Sequence, residues 1–157
     1  MLFIACSMSL SNCSNSTNDS SEIDETSFHL GVISAFSEVV NAGVKPLALS
    51  HPLSKEEMAL FLPEATKIAA KYDVQLYLEK DLITTKLFPA DVADGKEVLL
   101  LYQGHTLDRY LAIKRDKSDL THHGIYNEQE ALDVAVRFGK LLGYSSKGIQ
   151  KLIQENR

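Results

Sequence analysis

The chain has 157 residues, 45% of them apolar, which suffices for one domain with its own core and leaves no need for disulfide or metal staples. Its formal charge of −5 is uneven: residues 1–27 hold four acids (Asp19, Glu22, Asp24, Glu25) and no lysine or arginine, so the remaining body stands at −1 and offers no basic stripe to a nucleic acid. Both cysteines, Cys6 and Cys13, fall in those first 27 residues, which excludes a disulfide framework, a cysteine-ligated zinc site and a cysteine nucleophile from the rest.

Residues 1–10 are largely apolar (Leu2, Phe3, Ile4, Ala5, Met8, Leu10), and residues 11–27 are dominated by Ser, Asn, Thr, Asp and Glu, which cannot build a core. We read 1–27 as a disordered leader and 28–157 as a single α/β domain. Within the leader, Leu10-Ser11-Asn12-Cys13 resembles the bacterial lipobox. The resemblance implies lipidation at Cys13, a spacer from Ser14 onward, and an exported or membrane-anchored protein. Without a signal in residues 1–13, the leader is a dispensable extension of a cytoplasmic chain. The interrupted apolar run is too short to span a bilayer, so contact with a membrane would run through the anchor at Cys13 alone.

From 28 to 40 apolar residues recur at helical intervals (Phe28, Val32, Ile33, Phe36, Val39, Val40), with Ser27 as cap and Gly43 as stop. A short apolar strand follows at 45–50. Ser54 with Glu57 forms a capping box and Leu53 with Met58 a hydrophobic staple, opening a helix in which Pro63 predicts a kink or a restart. In 74–79, Val74, Leu76 and Leu78 share one face and Gln75 and Tyr77 the other, the pattern of a strand nearer the sheet edge than its middle.

Residues 82–85 could extend that strand or form a fourth, and 89–93 read as one helical turn closed by Asp94-Gly95. The run 97–102 is apolar on both faces, which places it mid-sheet. Thr106 is the expected cap of a helix to about 119 or 120, and 121–126 a loop. Asn127 with Glu130 opens a helix that Gly143 stops, and a short helix spans 146–155. Strand, helix and strand over 45–79 read as a unit with a parallel core, so the expected fold is α/β: a small, mainly parallel sheet of three to four strands covered by helices, three of them at the C-terminus.

In such a sheet, ligands gather outside the carboxyl ends of the strands. That rule selects Ser50-His51, Glu79-Lys80-Asp81 and Gln103-Gly104-His105-Thr106. Two of these turns place a histidine just past a strand and a hydroxyl, Ser54 or Thr106, at the next helix start, where free N–H groups favour an anion. If the first and third strands are neighbours, His51 and His105 flank one cleft, with Ser50, Ser54, Glu79, Gln103, Gly104 and Thr106 as ligand-binding residues. The expectation is a non-catalytic module for a small anionic ligand or a peptide. The alternative is a hydrolase or transferase using His51 or His105 as general acid or base. No nucleophile elbow, phosphate loop, dinucleotide turn or metal-ligand spacing occurs, so no cofactor and no metal are expected.

Overall fold

Five helices and three strands follow one another as α1 (Glu25–Asn41), β1 (Leu47–Leu49), α2 (Lys55–Lys71), β2 (Gln75–Glu79), β3 (Val98–Tyr102), α3 (Thr106–His122), α4 (Glu128–Leu141) and α5 (Ser146–Glu155). The computed structural model describes residues 24–89 and 91–156; Cys13 and the leader through residue 23 lie outside them.

Local capping chemistry sets the helix starts. Asp24 caps α1 by accepting from the Ser27 N–H at 3.0 Å, which begins the helix at Glu25 rather than at residue 28. The Ser54 capping box forms in both directions, with Glu57 N–H donating to Ser54 Oγ at 3.2 Å and Ser54 N–H to the Glu57 carboxylate at 2.8 Å. Those bonds hold the Glu57 carboxyl below its ordinary range. Leu53 and Met58 are buried in one cluster, as the staple requires. Helix α2 then continues through Pro63 as a single element. The expected Thr106 cap does not form: His105 occupies the N-cap without a side-chain bond, Thr106 is the first helical residue, and α3 runs on to His122 through part of the expected loop.

The sheet has the order β1-β3-β2, and both pairings are antiparallel. This overturns the expected mainly parallel sheet, and residues 82–85 add no fourth strand. The 45–79 unit keeps one feature of that expectation, since β1 and β2 both oppose β3 and therefore run alike, with α2 crossing between them. What inserts between them is β3. A parallel return from β2 would call for a crossover helix. Among its described residues the connection 80–97 has turns, bends and an isolated bridge between Leu53 and Glu97 but no helix, so the chain comes back antiparallel.

As the run 97–102 predicts, β3 lies in the middle and is buried on both faces. Leu99 and Leu101 join Ala48 and Val74 beneath α1 and α2. Val98 and Leu100 join Leu47 beneath α3, α4, α5 and the segment holding Ile83 and Leu87. The result is three layers with two cores, separated by the sheet.

Candidate functional site

Because β3 opposes β1, the turn that follows β1 and the turn that follows β3 leave at opposite rims. Ser50, His51, Ser54 and Glu79 lie at one rim; Gln103, Gly104, His105 and Thr106 lie at the other. The expected cleft flanked by His51 and His105 is therefore not formed, although the two strands are neighbours.

At the first rim the hydroxyl of Ser50 completes the ladder. It accepts from the Leu99 N–H at 2.9 Å and donates to the His51 carbonyl at 3.0 Å, while the Ser50 N–H donates to the Leu99 carbonyl. His51 stacks on His29 of α1, with ring centroids 4.7 Å apart and planes 11° from parallel. Imidazole lone pairs lie in the ring plane, so two stacked rings cannot converge on one ion. Among the described residues no group of three or more His, Cys, Asp or Glu is placed to hold a metal.

Glu79, only 4% exposed, accepts three hydrogen bonds. Tyr110 Oη donates at 2.8 Å, Lys114 Nζ at 3.0 Å and the Asp81 N–H at 2.9 Å. Burial, reinforced by this carboxylate, pushes the Tyr110 hydroxyl far above the ordinary phenol range. Lys114 also bonds the Asp81 carbonyl, and Lys117 the Thr84 carbonyl at 2.6 Å. The two lysines thus strap the 81–84 segment onto α3. An open groove of about 440 Å³ beside them is bordered by Asp81, Thr84, Lys114, Lys117, Ser118 and His122. Lys114 is paired with the buried Glu79 and with Asp81, and both ammonium groups are bonded to backbone carbonyls.

At the second rim Gln103 joins two elements, its side-chain amide donating to the Asp73 carbonyl at 2.7 Å and to Asn41 Oδ1 at 3.2 Å. Gly104 takes φ +56°, the left-handed conformation that turns the chain into α3. The His105 side chain is 97% exposed and its nearest polar partner is Asp108 on its own helix, at 3.2 Å. The ring partner of His51 is thus another imidazole, and the polar partner of His105 is a carboxylate on its own helix.

No family model, curated protein or solved structure matches the chain. Function must therefore be argued from geometry. Among the described residues, no helix is long and apolar enough to cross a membrane.

The feature that motif reasoning passed over is the outer edge of β2. Leu99 directs its N–H and C=O toward β1, so its neighbours Val98 and Leu100 direct theirs toward β2. They face Glu79 and Tyr77, which leaves the peptide groups of Leu76 and Leu78 pointing outward. Among the described residues these groups have no backbone partner. Alongside runs a slot of about 520 Å³ between β2 and α2, lined by Leu62, Thr66, Ala70, Leu76, Leu78 and Tyr102 among others, with no side chain that is charged at neutral pH. The one sequence signal for it was the alternation over 74–79, which marked an edge strand.

Proposed function

We propose that the chain is a non-catalytic binding module that accepts an extended polypeptide segment as an added strand on the outer edge of β2. The observation that carries this reading is the pair of outward peptide groups at Leu76 and Leu78 beside an uncharged slot. Main-chain bonds to an edge supply affinity, and the flanking slot selects alternate side chains of the guest. Edges exposed by accident are usually blunted by proline, inward charge or a bulge. β2 contains no proline and pairs one-to-one with β3; its one inward charge, Glu79, is its last residue and is bound by Tyr110 and Lys114, while Leu76 and Leu78 line the slot. A small anion finds no comparable address, since Lys114 beside the groove is already paired with Glu79 and Asp81 and Lys117 is bonded to the Thr84 carbonyl.

The test is titration of uncharged, strand-forming nonapeptides into isotope-labelled protein. Amide shifts concentrated at Leu76, Leu78, Thr66 and Ala70, and lost in a Thr66→Glu/Ala70→Glu variant, are the expected result. Shifts centred on the His51 or His105 turn would instead move the site back to the rims.

A further inference from the structure

We infer that residues 2–10 of the chain's own leader pack against the outward face of α1. That face differs from those of the other helices. Phe28, Val32, Ala35 and Val39 fall at i, i+4, i+7 and i+11, so they share one side of the helix. Phe28 is 58% exposed and Ala35 is exposed, while Val32 and Val39 are half-buried and belong to neither core. Ile33, Ser37 and Val40 already fill the buried side. From Thr26 to Ser37 the helix holds no lysine, arginine, aspartate or glutamate, whereas α2, α3, α4 and α5 each expose several charged side chains. The charges that border the face are Glu25 and Glu38 near its ends and Lys45, whose ammonium sits over the Phe36 and Tyr144 rings at 5.7 and 5.0 Å. A helix this apolar on both sides is ordinarily covered.

The size of the face selects what covers it. One helix of 17 residues offers a strip about 25 Å long and about 10 Å wide, on the order of 250 Å². A stable contact between two chains needs roughly 800 Å² from each, so a second copy gains too little here. A segment of the same chain does not lose the freedom of a separate molecule, and its tether holds it at an effective concentration on the order of millimolar. A weak contact then suffices. A membrane surface is a poor match, because neither the face nor residues 1–23 carry a lysine or arginine to meet anionic headgroups.

The leader has the chemistry and the reach. Leu2, Phe3, Ile4, Met8 and Leu10 are apolar, and the first charge in the sequence is Asp19, so an uncharged run meets an uncharged face. The 13 residues 11–23 join this run to the amino end of α1 and span up to about 43 Å when extended, more than the length of the helix. Docking removes the run and the face from water together.

The test uses the full-length, isotope-labelled chain with its leader retained, carrying Cys13→Ser and a nitroxide on Cys6, which lies inside the run. The expected result is loss of amide signal at Ala35 and Val39, restored by Leu2→Ser, Phe3→Ser and Ile4→Ser together. Those replacements leave residues 24–156 untouched, so the fold is not at stake. Equal loss with and without the three apolar side chains overturns the inference, since tethering alone then brings the label near. No loss at either position overturns it as well. Loss centred on Leu76 and Leu78 would seat the leader on β2 instead, and loss in a one-to-one mixture of spin-labelled and isotope-labelled chains would place the contact between copies; either result refutes the assignment.

Discussion

The Tyr110 hydroxyl donates to a buried carboxylate and accepts from the Ile83 N–H at 3.3 Å, so removing one oxygen leaves two groups short. Tyr110→Phe keeps the ring packed and is expected to cost about 1–3 kcal/mol, read as a lower urea midpoint at unchanged slope. The sign of its pH dependence follows from burial and the Glu79 charge, which raise the folded phenol above its unfolded value. As pH rises past about 10 the unfolded chain sheds this proton first, so the contribution present below that pH is lost by up to about 1.4 kcal/mol per unit. In the Phe variant this component of the alkaline slope is absent; equal slopes in both proteins would contradict the assignment. Glu79 was legible as a polar residue at a strand end and hence as a ligand candidate. Its role as a strut was not, because its side-chain donors come from Tyr110 and Lys114, 31 and 35 residues further on.

Helices α4 and α5 meet where Gly139 faces Ile149. A Cβ at Gly139 would lie 2.7 Å from Ile149 Cγ1 and 2.9 Å from its Cδ1, and Ile149 is itself almost fully buried. Alanine in place of a mid-helix glycine ordinarily gains up to about 1 kcal/mol, but overpacking here costs about 1–3 kcal/mol. Gly139→Ala is therefore expected to lower the thermal midpoint, whereas Gly31→Ala on α1, with nothing within 4 Å of the added carbon, raises it. A stabilised Gly139→Ala would mean that α5 shifts freely against α4. Sequence reading recovered these helices from periodicity and caps, and the edge position of β2 from its alternation. It missed the direction of β3 because a strand apolar on both faces reads the same either way. The discriminating signal lay in the preceding connection: the described residues of 80–97 hold no helix to carry a parallel crossover.

Across the whole molecule, β3 serves both cores, and this decides how the protein can be divided. β1 and β2 each pair with β3 and not with one another. A fragment of residues 24–89 keeps α1, β1, α2 and β2 but leaves Ala48 and Val74 facing the vacancy of Leu99 and Leu101. A fragment of residues 96–156 keeps β3 with neither strand neighbour. Leu99, Leu100 and Leu101 are fully buried. At about 1.5–3 kcal/mol each, they supply on the order of 5–9 kcal/mol, comparable with the total stability of an ordinary domain. Neither fragment is expected to unfold cooperatively alone. Mixed one to one, they are expected to regain helical circular dichroism and a single urea transition, because the excised connection contributes turns rather than a strand. Cooperative unfolding of the 24–89 fragment by itself would show that α1 and α2 form a core without β3, against the burial pattern of the sheet.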